Sequence, residues 1–147
     1  MSKHFLKHSI GIDVSKDSLS ICSCKLTADL SKEYVFLEDQ PNDATGFKRL
    51  HKWIVSIKEE GISPLVLLEA TGVYHEALAM YLHGSGIDVS IMQSGRVKRY
   101  AQSLDQRSKT DLLDSKMLSM LAIERSLTLW TPPRASLAQL KGLSRER

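Results

Sequence analysis

At 147 residues the chain is sized for one domain with a substantial core and a short appendage. Its 42% apolar and 25% charged residues are ordinary for a globular fold, and a formal charge of +3 with a pI near 8.9 permits a nucleic-acid surface without demanding one. No apolar run reaches the ~18 residues of a membrane span and the polar N-terminus is no signal peptide, so no membrane association and a cytoplasmic location are expected.

Residues 9–14 form a short apolar run with Asp13 embedded in it, and Ser15-Lys16-Asp17-Ser18 supplies turn chemistry. Residues 19–26 read as a second strand and residues 34–37 as a third, which together predict an antiparallel meander. His4 and His8 are spaced i, i+4 but fall in a stretch that reads as a frayed tail, and no role is assigned to them. Cys22 and Cys24 share one face of the second strand, which suits buried thiols. No further Cys or His stands near at metal-ligand spacing.

The break at Gln40-Pro41-Asn42-Asp43 leads to Phe47, Leu50, Trp53, Ile54 and Ile57 at helical spacing, with Gly61 as the stop. Residues 64–69 are a continuous apolar run ending in Glu69, the pattern of a strand buried on both faces. Ala70-Thr71-Gly72 turns the chain into a helix carrying Leu78 and Leu82, which ends near Gly84-Ser85-Gly86. A strand over residues 87–92 and a basic helix over residues 94–104 follow. His75, at a helix start, reads as a surface residue.

After a loop at residues 105–109, Leu112, Leu113, Met117, Leu118, Met120 and Leu121 recur at helical spacing, with Thr110 as the predicted N-cap. Asp111 and Asp114 stand three apart on its first turn, so both carboxylates leave one face. Acids there also offset the positive end of the helix dipole, and taken alone that bland role outweighs any other. Trp130-Thr131-Pro132-Pro133 marks a boundary, because two prolines cannot continue a helix. A new helical pattern with Leu137, Leu140 and Leu143 begins beyond it. The expected division is therefore a domain over residues 1–128, with residues 129–147 a linker and the start of a helix leading to something longer.

A β-β-β-α-β-α-β-α order, with right-handed crossovers, predicts a mixed five-stranded sheet flanked by helices, an α/β ribonuclease-H-like architecture. Its first and fourth strands would lie side by side, with Asp13 and Glu69 at the ends where ligands of open α/β sheets gather. With Asp111 and Asp114, four carboxylates would converge from three elements, a cluster that repels itself unless cations neutralise it. Oxygen-only donors favour Mg²⁺ or Mn²⁺, and two such ions roughly 3.5–4 Å apart would form the clamp used for in-line phosphoryl transfer.

Four motifs occur in order: Gly11-Ile12-Asp13-Val14-Ser15-Lys16, Glu69-Ala70-Thr71-Gly72-Val73-Tyr74, Arg96-Val97-Lys98-Arg99-Tyr100, and Lys109-Thr110-Asp111-Leu112-Leu113-Asp114. Together they resemble the N-terminal, RuvC-like domain of the insertion sequence 110 family, the DEDD transposases related to Piv-type invertases. The resemblance implies a magnesium-binding D-E-D-D set at Asp13, Glu69, Asp111 and Asp114 and DNA recombination at element ends and targets. A structured guide RNA serves at least some members. It also implies a homo-oligomer in the full-length form and a serine nucleophile in a separate C-terminal domain. Gln93-Ser94 stands where the family usually has Asn-Pro, and Asp114-Ser115 where it has Asp-Ala; both departures leave the carboxylates in place.

Lys16, Arg96, Lys98, Arg99, Arg107 and Lys109 are the candidates for holding phosphates beside the acids. Tyr100 could stack on a base, but core packing is the simpler reading. Three alternatives stand against the recombinase. An actin-like sugar kinase would need a Gly-Thr-rich turn and a second lobe. A stand-alone Holliday-junction resolvase would not need the exit helix, and a binding module with structural acids would show no saturable metal binding.

Overall fold

The computed structural model describes residues 4–70, 72–103 and 114–133. Strands β1 (Phe5–Val14), β2 (Ser18–Thr27) and β3 (Lys32–Pro41) form the antiparallel meander. Helix α1 (Ala44–Ile57), strand β4 (Leu65–Ala70), helix α2 (Glu76–Gly84), strand β5 (Asp88–Gln93) and helices α3 (Ser94–Ser103) and α4 (Asp114–Glu124) follow. The sheet order is β3-β2-β1-β4-β5, with β4 parallel to both β1 and β5. This is the mixed five-stranded sheet that the element order predicts, with β1 and β4 adjacent.

Two expectations need correction. β1 starts at Phe5, not near Ser9, so His8 is no part of a frayed tail: it is buried and its Nε2 lies 2.8 Å from Ser23 Oγ. Its polar neighbours Lys7 and Ser9 hid the strand, because both are satisfied by α4. Lys7 Nζ donates to Ile123 O at 2.9 Å, at the negative end of that helix, and Ser9 Oγ donates to Ser119 O at 2.6 Å. β3 likewise runs on to Pro41 where a four-residue strand was expected, since an edge strand tolerates a terminal proline.

Helix α1 starts at an N-cap, Asp43, whose carboxylate accepts from Gly46 N at 3.0 Å. It ends at Ile57, before Gly61, and packs Phe47, Leu50 and Ile54 onto Ile10, Ile12, Leu19, Ile21 and Leu68. Leu78 and Leu82 of α2 complete this layer. On the opposite face Leu67 and Met92 meet Val97 and Tyr100 of α3 and Leu118 and Leu121 of α4. Tyr100 is thus a core residue, its hydroxyl donating to Glu124 Oε1 at 2.6 Å. Beyond α4 the chain runs beside β5, with Trp130 N donating to Val89 O at 2.7 Å and Ser90 Oγ to Thr128 O at 2.8 Å. Among the described residues no helix is long and apolar enough to cross a membrane.

Candidate functional site

Asp13 and Glu69 are each the last residue but one of their strands. The parallel register pairs Gly11 with Leu67 and Ile12 with Leu68, and one further step sets Asp13 beside Glu69. Side chains alternate along a strand, so Asp13 shares the face of Gly11, and Glu69 that of Leu67, which packs under α3 and α4. Both carboxyls are half-buried at the C-terminal edge of the sheet.

Asp114, the first described residue of α4, joins them because of what lies beneath that helix. A Cβ at Gly11 would stand 2.7 Å from Leu118 Cβ and closer still to Ser115 O and Ser119 N. Only glycine lets the helix backbone lie directly on the strand. Ser115 and Ser119, one helical turn apart and both fully buried, form the face that does so. Their hydroxyls are engaged, Ser119 Oγ with Lys116 O at 2.7 Å and Ser115 Oγ with Ser20 Oγ at 3.4 Å. Ser20 itself is the cross-strand partner of Asp13.

The electrostatics record this convergence. Burial raises the pKa of Asp13, and the Asp114 carboxylate adds to it by charge and by a shared hydrogen bond. Glu69 is raised by burial, then by Asp13 and Asp114, while Lys98 on α3 pulls the other way. Asp13 and Glu69 therefore both resist ionising where Asp114 meets them, the three acids coming from three elements. The donors of the three acids are all carboxylate oxygen, half-buried at Asp13 and Glu69 and exposed at Asp114, a set that fits a hard divalent cation and not zinc. As they stand, the described residues include no group of three His, Cys, Asp or Glu gathered tightly enough to hold a metal ion. Asp111, the fourth expected acid, lies outside the described residues, as do Thr110, Arg107 and Lys109.

Arg96, Lys98 and Arg99 are exposed on α3, while Val97 and Tyr100 of the same helix turn inward. Lys16 is exposed on the β1–β2 turn. Cys22 and Cys24 are free and buried, and burial pushes both thiols up to about 11, so neither is a thiolate near neutrality. His75 sits at the α2 N-cap position, half-buried, with its Nδ1 enclosed and unpartnered. From the sequence Asn42 reads only as part of a turn break. Its side chain donates to Ser15 O at 2.9 Å and Tyr74 O at 3.0 Å, tying together the loops that follow β1 and β4. The signal available was an Asn after the strand-ending proline, which is too common to single out.

Comparison with known proteins identifies the family and the fold. The Pilin gene-inverting protein of Moraxella lacunata is 30% identical over 141 residues, covering 96% of this chain and 42% of that protein. Its Moraxella bovis counterpart is 29% identical over 141 residues. The chain thus spans about two-fifths of the length of the curated relatives it matches. Thermus thermophilus RuvC superposes with a TM-score of 0.55 over 84% of this chain and 99% of its own, at 12% identity. The same protein in complex with a Holliday junction substrate gives 0.54. The fold is RuvC-like. The family model DEDD_Tnp_IS110, described as a transposase, matches residues 10–147, and the chain belongs to that family.

Proposed function

We propose that this chain is the catalytic DEDD domain of a DNA transposase or site-specific recombinase, acting on element ends and targets in the cytoplasm. The observation that carries the reading is the meeting of Asp13, Glu69 and Asp114 from β1, β4 and α4 at one sheet edge, where Asp114 raises the cost of ionising Asp13, and both raise that of Glu69. With Asp111, these residues would hold Mg²⁺ or Mn²⁺, two ions in the full set. When bound, the cations supply charge neutralisation at the scissile phosphate and at the leaving oxygen.

The chain's own residues do the positioning. Lys98 reaches toward Glu69 electrostatically and, with Arg96 and Arg99 on the same exposed helix, binds phosphates flanking the reacting one. Lys16 does so from the β1–β2 turn, and Arg107 and Lys109 belong to the same set by their place in the basic run that begins at Arg96. On this reading the attacking oxygen is a serine hydroxyl of a C-terminal domain that residues 129–147 lead to from the domain over residues 1–128. The working assembly is a homo-oligomer, and a structured guide RNA selects the DNA. Both follow from the family resemblance.

The test is calorimetric titration of Mn²⁺ into the chain and into Asp13→Ala, Glu69→Ala, Asp111→Ala and Asp114→Ala. Saturable binding that each substitution weakens supports the reading. A variant that binds as the parent does removes that acid from the site, and no saturable binding in the parent leaves the acids structural.

A further inference from the structure

The loops around the acid cluster carry two exposed apolar side chains that neither core uses. Val73 is 64% exposed and Tyr74 44% exposed, in the loop between β4 and α2. Single exposed apolar residues need no explanation, but these two are adjacent and their backbone is held. Asn42 Nδ2 donates at once to Tyr74 O and Ser15 O, and Asn42 N donates to Asp17 O at 3.0 Å. One residue thus fastens the loop after Glu69 to the turn after Asp13. Gly72, at a φ of +59°, reverses the chain. The Tyr74 ring folds back over it, its Cδ2 and Cε2 each 4.0 Å from where a Gly72 Cβ would be. Lys16, exposed, sits on the turn that Asn42 fastens to Tyr74.

A planar aromatic face and a cation on two joined loops are what a single nucleic-acid strand needs: stacking for a base, charge for the next phosphate. A duplex offers phosphates but keeps its base faces covered. We propose that Tyr74, flanked by Val73, is a platform for an unpaired nucleobase of the substrate strand, with Lys16 on the adjoining phosphate and Asn42 positioning both. The inference rests on the reading that the acid cluster acts on nucleic acid, and it names the form of nucleic acid taken: a strand unpaired beside the reacting phosphate.

Fluorescence anisotropy of the 147-residue chain with a short oligothymidylate, and with a duplex of equal length, tests it. Tyr74→Ala should weaken single-strand binding roughly 5- to 100-fold and leave duplex binding unchanged. Tyr74→Phe, which keeps the ring, should stay within about twofold. Tyr74→Leu, of similar bulk without a planar face, should behave as the alanine variant and guards against a folding defect, with melting temperatures measured for each. Asn42→Ala should weaken single-strand binding without altering its salt slope, because no charge is lost. Unchanged single-strand affinity in Tyr74→Ala, equal losses on single strand and duplex, or a parent chain that does not distinguish the two would overturn the platform. Mn²⁺ binding measured in parallel separates the two ideas. A parent that binds Mn²⁺ while Tyr74→Ala binds single strands normally discards the platform and keeps the acid cluster. A parent without saturable Mn²⁺ binding discards the cluster.

Discussion

Toward α1 and α2, β1 presents Ile10, Ile12 and Val14 to Phe47, Leu50 and Ile54; toward α4 the same strand presents Ser9, Gly11 and Asp13 to Ser115 and Ser119. The first face is built from bulk, and its aliphatic side chains contribute stability by area removed from water. The second gives up that area so that a helix backbone can lie on a strand and carry Asp114 to Asp13. One strand therefore does two jobs by alternation, and the faces should fail in different ways when broken.

The largest loss is expected on the aliphatic face. Leu68→Ala empties a fully buried site and should cost about 2–5 kcal/mol in chemical denaturation. Mn²⁺ affinity per folded molecule should hardly change, since the acids stay on their strand ends. Gly11→Ala should cost less, roughly 1–3 kcal/mol, because a single methyl must push α4 outward. Yet it should weaken Mn²⁺ binding far more than Leu68→Ala does. If the two variants lose metal affinity in proportion to stability, the distinction between the faces is wrong.

How much of this was legible in the sequence differs by face as well. The aliphatic face announces itself by period, at two residues along β1 and three to four along α1, so its elements and core were readable. Asp13 and Glu69 were readable because an acid ending an apolar run is costly to bury without a partner. The reason for Gly11 was not, because the atoms that exclude a side chain there belong to Ser115 and Ser119, a hundred or so positions away in the chain. His8 was misjudged for the same cause: what makes it a strand residue is Ser23 across the sheet and α4 behind Lys7 and Ser9. Local pattern reports local partners.

Acid should separate the faces next. On the aliphatic side His8 is held to about 4, by burial first and by Lys25 second, with Glu59 opposing. A folded pKa below the unfolded one means the unfolded chain binds more protons between about 6.5 and 4, so stability falls as pH drops through that window. The loss from pH 6.5 to 5 should be on the order of 1 kcal/mol. His8→Gln should flatten this part of the stability profile. An unaltered profile would show that His8 does not resist protonation in the fold.

The smallest effect on stability, and the most informative, belongs to Asp13→Asn. Asp13 and Glu69 have folded pKa values raised by burial and by the neighbouring acids. The sign is opposite to that of His8. For a raised acid the folded state binds more protons, so stability is fully present below the ordinary carboxylate range and is lost as pH rises through the raised value. At neutral pH the cluster is therefore a source of strain, which Asn relieves while keeping the side-chain shape and a hydrogen bond to Asp114. Without metal, the melting temperature of Asp13→Asn at pH 7 should equal or slightly exceed that of the parent, and its decline as pH rises above the ordinary carboxylate range should be shallower. With Mn²⁺ the order should reverse, because an ion that binds only the folded parent raises its melting temperature by mass action and finds one ligand fewer in the variant. A variant that melts lower than the parent without metal would mean that Asp13 is structural, held by its hydrogen bonds and not strained by its charge. The α4 face would then be a second packing surface and not a site.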